Sequence, residues 1–373
     1  MKRYKKYGLI FLLLTTLSTA LASQYPGAVF LMIWPGARPT GLAGAFSAIA
    51  DDASATYYNP GGLSFLNNTY VSVMHSPWLP GLYPGMVYDY LAFSRSIKNQ
   101  GTVGANIIYL NTGETEVTDN NGNYLGTYTT FDIAISGSYG FKLTPQLGVG
   151  VSAKFIYSYL VPDWVFGALP DLQGTSGGTG LAWALDGGVL YKPLKYLTVG
   201  ASVSNLGPNI SYTSSGEADP LPRMLRVGVK YTPLQNDIVT LNITPEITKV
   251  LVGMFYDPDG EKTFAQKLNY ELWEAWKSFG IEAIFYDLVS ARLGYFEDIS
   301  GQRGGILVNR GTDEHIAMTD FLFTKNHGKF AGKVGLCFGI GVQFKGFQFD
   351  VSNDQMIYDF DTKNYKFSLT YHF

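Results

Sequence analysis

Asp51 and Asp52 are the residues of this 373-residue chain that come closest to a catalytic pair. Two neighbouring carboxylates can divide the roles of general acid and general base. The same residues also form turns and accept hydrogen bonds from backbone N–H groups or from an arginine such as Arg38. Because small residues and turn signals surround them, we interpret both as structural.

The sequence gives little indication of a metal site or of a reactive cysteine. Asp257, Asp259 and Gly260 resemble the start of a calcium loop, but the glutamate that completes such a loop is missing at the required spacing, which favours a surface turn. The four histidines share no metal-binding spacing, and Cys337 is the single cysteine, so no zinc site or internal disulfide is predicted. The histidines are His75, His315, His327 and His372.

Two further signatures of enzymes are incomplete. Gly41 and Gly44 have the spacing of a phosphate-loop fragment, but the lysine and the third glycine are missing, so we interpret them as packing or turn residues. The G-x-S-x-G motif of serine hydrolases is absent. A Ser/His hydrolase on the outer face of a membrane barrel is an alternative for which no nucleophile stands out. We therefore expect no enzyme and no cofactor.

Residues 1–22 are typical of a cleaved secretory signal. Four basic residues precede an apolar run at 8–17, and Ala20-Leu21-Ala22 provides small residues before a cleavage at Ser23. An uncleaved anchor is the alternative, although the run is shorter than the roughly 20 apolar residues of a membrane-spanning helix. Without residues 1–22 the chain has 23 basic and 30 acidic residues, a net charge of −7 that argues against binding nucleic acid.

Alternating hydrophobicity is the dominant pattern after residue 69. In 131–141 the odd positions are mostly aromatic or aliphatic and the even positions are small or polar, which predicts a β-strand with one apolar face. Fourteen such segments occur, and no later segment has the 18 consecutive apolar residues of a membrane-spanning helix. The predicted strands are 70–76, 86–95, 101–110, 131–141, 147–159, 180–190, 197–205, 225–231, 239–249, 277–285, 288–297, 333–344, 347–352 and 365–373.

The connections between these strands alternate between short and long along the whole chain. Short periplasmic turns and long extracellular loops are how transmembrane β-barrels of the bacterial outer membrane are built. The low content of charged residues, 15%, fits a wall surrounded by lipid, and the chain ends on an aromatic residue, Phe373, as such barrels do. We predict an all-β, 14-stranded antiparallel transmembrane β-barrel in the outer membrane, with long extracellular loops and outer-membrane lipid around it.

The segment before the first strand lacks the pattern of a spanning strand. Residues 28–66 combine small residues, the Asp51-Asp52 pair and an Asn59-Pro60 turn, so we expect them to lie inside the barrel or to plug its periplasmic end. The predicted organisation is a signal peptide at 1–22, an N-terminal hatch at 23–69 and the barrel at 70–373. If the hatch fills the lumen, deleting 35–59 should raise the permeability to small polar solutes.

This N-terminal segment strongly resembles that of the PorV/PorQ branch of the fatty-acid-transporter-like barrels. Blocks at 199–228, 278–297, 338–351 and 367–369 extend the resemblance over nearly the whole chain, and they are most similar to the PorV family of the type IX secretion system. The motif residues of the hatch are Arg38, Gly41, Gly44, Asp51, Asp52, Asn59 and Pro60.

The resemblance implies a barrel without catalytic residues that binds secreted proteins through their C-terminal sorting domain. Such a barrel would pass them from the type IX translocon to the attachment complex, so the subunits of both are implied partners. The alternative is a passive channel for hydrophobic compounds, because the Asn-Pro-x-Gly-Leu motif at 59–63 is shared with fatty-acid transporters. The loop at 298–332 is longer than the resemblance leads us to expect, which leaves the identity of the partners open.

Aromatic residues in the predicted loops are candidate anchors for a partner protein, since aromatic side chains dominate binding hot spots. Residues in the membrane-interface belt are the alternative. A helix predicted at 261–276 has Phe264, Leu268, Leu272 and Trp276 on one stripe, which we expect to cap the barrel rim, with partner docking as the alternative. The candidate anchors are Trp78, Tyr83, Trp164, Phe166, Trp273 and Trp276.

Overall fold

A computed structural model describes residues 25–80, 85–168, 176–214, 217–257, 259–298, 334–354 and 364–373. Three predictions lie outside these residues: the signal peptide at 1–22, the candidate anchor Tyr83, and all but the first residue of the long loop at 298–332.

Fourteen antiparallel strands form one closed barrel in which each strand pairs with its neighbours in sequence. The barrel closes where the first strand pairs with the last, Tyr70 opposite His372. The predicted fold class is therefore confirmed. The strands are β1 (Thr69–Pro77), β2 (Val87–Ile97), β3 (Gly101–Thr118), β4 (Tyr124–Lys142), β5 (Leu147–Tyr159), β6 (Thr179–Leu194), β7 (Leu197–Leu206), β8 (Met224–Gln235), β9 (Val239–Val250), β10 (Trp276–Phe285), β11 (Val289–Glu297), β12 (Val334–Phe344), β13 (Phe347–Asp354) and β14 (Asn364–His372).

The two faces of the wall differ as the alternating pattern requires. In β6, Leu181 and Trp183 are 64% and 56% exposed on the outer face, while Ala182 and Ala184 are buried on the inner face. Successive side chains of a strand point to opposite sides, so one register places most of the large apolar residues of a strand outside. The outer face is suited to lipid, and the small inner side chains leave room for other residues in the lumen.

The hairpin of β3 and β4 is the main difference from the sequence prediction. Residues 111–130 were predicted to form a loop, but β3 continues to Thr118 and β4 begins at Tyr124. The register shifts between Asn111 and Glu114, where Gly113 has a φ of 84°, and this bulge interrupts the alternation. Beyond it most side chains are polar, among them Glu114, Glu116 and Thr127, so the strands no longer alternate as lipid-facing strands do.

The helices are short and lie before or between the strands. Among the described residues, no helix is long and apolar enough to cross a membrane. The α-helices are α1 (Ala37–Gly41), α2 (Ala55–Tyr58), α3 (Asp163–Ala168) and α4 (Phe264–Glu274), and 3-10 turns occupy Val29–Met32 and Pro60–Phe65.

Candidate functional site in the filled lumen

Residues 25–66, called the N-terminal segment below, run through the barrel from one end to the other. At the long-loop end, Gly27 N–H donates to the carbonyl of Pro220, 3.0 Å away, in the connection between β7 and β8. At the short-turn end, the ammonium groups of Lys142 and Lys192 lie 5.2 Å and 4.1 Å from the centre of the Phe65 ring. Between these points the segment contacts inward-facing residues of the wall.

The Asn59-Pro60 turn is bonded directly to the wall near the short-turn end. The fully buried Asn59 amide donates to the carbonyls of Ser47 and Val189, at 2.8 Å and 2.9 Å, and its oxygen accepts from Gly61 N–H at 3.0 Å. Pro60 follows at the first position of a 3-10 turn, where its missing N–H costs nothing. One side chain thus joins two parts of the segment to β6.

Close approach to β6 depends on Gly188, which gives a testable prediction. A Cβ on Gly188 would overlap the side-chain oxygen of Asn59 and lie 2.8 Å from Pro60 Cδ. We expect Gly188→Val to displace the turn and to lower the free energy of unfolding by about 1 to 3 kcal/mol. The measurement is equilibrium unfolding by guanidinium of the barrel refolded in detergent.

Gly187→Val is the matched control for this prediction. Gly187 is the preceding residue of the same strand, faces outward, and has no atom within 4 Å of a Cβ placed on it. We expect its effect to stay within about 0.5 kcal/mol. Equal losses at both positions would show that the strand, and not contact with the segment, is sensitive.

Arg38 lies at the centre of an ion network that fastens α1 to the wall. Its guanidinium contacts Asp51 at 2.6 Å and Glu282 of β10 at 2.9 Å. Glu282 is fully buried and also accepts from Arg292 of β11 at 2.8 Å, and Arg292 in turn contacts Asp350 of β13 at 2.7 Å. Buried charges are tolerated only when they are paired in this way, so the network fixes the position of the segment.

The Asp51-Asp52 pair faces this arginine. Asp52 contacts Arg38 at 3.5 Å and accepts from Ser54 N–H at 2.7 Å, and burial raises the pKa of its carboxyl. A cavity of about 10 Å³ lies beside Arg38 and Asp52, which is room for about one water molecule. Both carboxylates have partners in the fold, and the space beside the buried Asp52 is too small for a substrate.

A buried lysine of the wall, Lys366, holds the segment higher in the lumen through hydrogen bonds. The buried ammonium of Lys366 in β14 donates to the carbonyl of Trp34 at 2.6 Å, to Thr40 Oγ1 at 3.2 Å and to Asp354 of β13 at 3.0 Å. Trp34 packs edge to face on Phe296 at 5.4 Å between ring centroids. The segment is therefore tied to β11, β13 and β14 near their long-loop ends.

The opposite wall supplies a third group of contacts. Glu246 of β9 accepts from Ser47 N–H at 2.8 Å, and the guanidinium of Arg226 in β8 lies 5.1 Å from the Tyr57 ring centre. Ser202 of β7 donates to the carbonyl of Tyr58 at 2.7 Å. Contacts on several sides of the barrel leave the segment little freedom to shift as a unit.

The inward charges of the wall were missed by the sequence analysis. Their signal was a charged residue at the small, polar positions of an alternating strand, as at Arg292 between the outward residues Ala291 and Leu293. The residues missed in this way are Lys154, Asp186, Arg226, Glu246, Glu282, Arg292, Asp350, Asp354 and Lys366.

The predicted motif residues lie at different heights in the lumen. Arg38, Asp51 and Asp52 meet each other, whereas Asn59 and Pro60 contact β6. A Cβ on Gly41 would lie 3.1 Å from the Cα of Gly339 in β12. Gly44 has a φ of 77° and lies against the indole of Trp34. These glycines serve packing and backbone geometry.

The candidate aromatic anchors differ in accessibility. Trp78 and Trp276 are only 5% and 3% exposed, so they offer almost no surface to a partner. Trp78 packs on Tyr88, and Trp276 packs in a cluster with Met32 and Met224. Trp164 is 42% exposed in α3.

Two other anchors, Phe166 and Trp273, are half-buried. Phe166 lies in α3 and Trp273 in α4. A role in docking a partner stays a prediction for these two residues and for Trp164.

The helix predicted at 261–276 does not cap the barrel rim with its apolar stripe, because that stripe is exposed. Phe264, Leu268 and Leu272 are 68%, 42% and 61% exposed, and Trp276 belongs to β10 instead of the helix. The helix is shorter than predicted because Thr263 and Gln266 form a capping box at its start and it ends at Glu274. The acidic side of α4, not its apolar stripe, faces the barrel.

Metal-binding geometry does not occur in the described part of the chain, where no three His, Cys, Asp or Glu residues lie close enough to hold an ion. Asp257 contacts the Lys267 ammonium at 2.8 Å, and the hydrogen bond from Lys267 lowers the pKa of its carboxyl. This ion pair gives the carboxylate a partner within the loop.

Comparison with known proteins supports a family assignment and a fold. The sequence model of the family described as type IX secretion system protein PorV matches residues 21–257. No curated protein is similar enough to count as a match. The toluene transporter TodX of P. putida is 14% identical with a TM-score of 0.51, covering 91% of this chain and 98% of that chain, which shows a shared barrel fold.

Two other solved barrels are similar at a lower level. A FadL homologue of Pseudomonas aeruginosa is 12% identical with a TM-score of 0.48, covering 91% of this chain and 99% of that chain. The toluene transporter TbuX of Ralstonia pickettii is also 12% identical with a TM-score of 0.48, covering 91% of this chain and 97% of that chain.

Proposed function

Because the chain belongs to the family of the type IX secretion system protein PorV, we propose that it receives secreted proteins at the cell surface. It is a bacterial outer-membrane β-barrel. In the proposed role it binds the C-terminal sorting domain of each secreted protein as that protein leaves the type IX translocon. It then passes the protein to the attachment complex, without catalysis by its own residues. The family match over residues 21–257 is the observation that carries this proposal.

The filled lumen supports a binding surface on the long-loop rim. The N-terminal segment is held at three heights by Asn59, by the Arg38–Glu282 pair and by Lys366. A folded sorting domain cannot pass through a lumen packed in this way. The hairpin of β3 and β4 and the exposed Trp164 extend the rim instead and provide surface for a partner.

Binding of purified sorting domains tests the proposal. The barrel is solubilised from outer membranes in detergent, immobilised through a C-terminal tag, and exposed to a sorting domain from the same bacterium. A domain of equal size without a sorting signal is the control. We expect only the sorting domain to be retained. Equal retention of both domains, or of neither, contradicts the proposal.

A passive channel for hydrophobic compounds is the second candidate function, because the chain shares its fold with a toluene transporter. This candidate predicts that long-chain acids or aromatic hydrocarbons co-purify with the barrel and that cells lacking it take them up more slowly. Uptake that depends on the barrel, without retention of sorting domains, favours the channel. Retention with unchanged uptake favours the secretion role.

A further inference from the structure

Helix α4 lies against the outside of the barrel. In β9 the even positions from Asn242 to Val250 are buried and face the lumen, so Lys249 belongs to the outward set. Glu271 and Glu274 of α4 contact the Lys249 ammonium at 2.5 Å and 3.2 Å. The side chains of all three residues are nearly buried, so the acidic side of the helix covers the outer surface of β9.

The next two strands hold the same region in place. Lys277, on the outer face of β10, donates to the carbonyl of Trp273 at 2.8 Å and contacts Glu297 of β11 at 2.7 Å. A single residue, Ala275, separates the end of α4 from the start of β10. The C-terminal end of the helix therefore lies at the level of the barrel rim and cannot project far above it.

The lipid-facing wall begins directly below this helix. Ile247 and Phe279 lie two residues from Lys249 and Lys277 on the same outer face, about 7 Å along their strands, and are 51% and 41% exposed. The lysines, paired with acidic groups, thus mark the upper edge of the apolar wall. The helix lies at that edge, where the interface between lipid and water is expected.

The apolar side of α4 is separate from the side that contacts the wall. Phe264, Leu268 and Leu272 follow at intervals of four residues, and all are exposed. Lys267 and Glu271 lie on the adjacent side, where they form their ion pairs. The helix therefore has one side tied to the barrel and an apolar side that stays exposed, where the Phe255 ring stacks on Phe264 with 5.8 Å between the ring centroids.

We propose that α4 is an interfacial helix whose apolar stripe, Phe264, Leu268 and Leu272, lies among the acyl chains of the outer leaflet. The occupant is lipid because the stripe continues the apolar wall at the height where that wall ends. Tyr270 and Trp273 of the same helix pack side by side, with tilted rings whose centroids are 6.0 Å apart, and such aromatic residues are enriched at the level of the lipid headgroups. The helix anchors the rim of β9 and β10 in the membrane plane, independently of any role in secretion.

Spin labels on neighbouring residues test this proposal. Leu268→Cys and Asn269→Cys are each labelled in a Cys337→Ala background, and Ile247→Cys is the reference for the lipid-facing wall. The protein is reconstituted without any other protein in vesicles of phosphatidylethanolamine and phosphatidylglycerol. Power saturation then compares collisions with oxygen, which enters lipid, and with a water-soluble nickel chelate. Leu272→Cys repeats the measurement if the label at 268 disturbs folding.

We expect the label at 268 to favour oxygen several-fold over the label at 269 and to match the label at 247. The exposed Asn269 lies away from the stripe and should collide mainly with the nickel chelate. Equal access of the chelate to 268 and 269 would overturn the proposal. That result is the one expected if the stripe is reserved for a protein partner, since no partner is present in these vesicles.

Discussion

Glu282→Ala is expected to lower the free energy of unfolding by about 3 kcal/mol, the low end for breaking a buried ion pair, because two buried arginines lose the carboxylate that they share while Arg292 keeps Asp350. Glu282 is fully buried and accepts from both Arg38 and Arg292. After the substitution Arg38 keeps its carboxylates Asp51 and Asp52, but its link to the wall is lost. The measurement is equilibrium unfolding in guanidinium of the barrel refolded in detergent, followed by tryptophan fluorescence.

Glu116→Ala is the control for Glu282→Ala. Glu116 is an exposed residue in the part of β3 that extends beyond the bulge. Its loss should change the free energy of unfolding by less than about 0.5 kcal/mol. Glu282→Gln, which keeps the size and one acceptor oxygen, should fall between the two. A Glu282→Ala barrel as stable as the parent would mean that the network does not hold the segment.

Deleting residues 35–59 is expected to turn the barrel into an open pore. Every wall contact of Arg38, Ser47 and Asn59 would be lost, while all fourteen strands remain. We expect the permeation of small sugars into proteoliposomes to rise by an order of magnitude or more, because larger barrels with empty lumens conduct water and solutes. Swelling of liposomes in isotonic sugar measures this rate.

A deletion outside the lumen controls for general damage to the barrel. Replacing 264–274 by a glycine-serine linker of equal length removes α4 from the outer surface and leaves the N-terminal segment in place. Swelling should then stay at the level of the intact chain. If the 35–59 deletion also leaves swelling unchanged in a barrel that is still folded, the segment does not close the lumen.

The sequence predicted the wall well because lipid imposes a strict rule on it. Every second residue of a spanning strand must be apolar, so segments such as 147–159 could be read directly, and β5 has those bounds. The rule ends where the lipid ends. For that reason the mostly polar continuation of β3 and β4 beyond Asn111 was wrongly predicted to be a loop.

The lumen could be predicted only in part. The small residues and the Asn59-Pro60 turn indicated a segment inside the barrel, and the structure places it against the inner wall. The partners of Arg38 could not be found from spacing, since Glu282 lies 244 residues away and meets it only through closure of the barrel.

The orientation of α4 on the barrel also could not be predicted from the sequence. The apolar stripe of the helix predicted burial against the barrel. Lys249 instead pairs with Glu271 and Glu274, so the acidic side of the helix faces the wall. Two ion pairs with an outward lysine decide which side of this helix faces the protein. Hydrophobic periodicity alone cannot distinguish a buried stripe from one that faces lipid.

Photo-cross-linking in living cells of the producing bacterium tests most directly whether the chain binds secreted proteins at its long-loop rim. A photoreactive phenylalanine analogue replaces either Trp164, 42% exposed on that rim, or Tyr286, 69% exposed in the short turn at the opposite end. We predict that proteins with C-terminal sorting domains are captured at 164 and not at 286. Capture at 286 alone, or equal capture at both positions, would contradict binding at the rim.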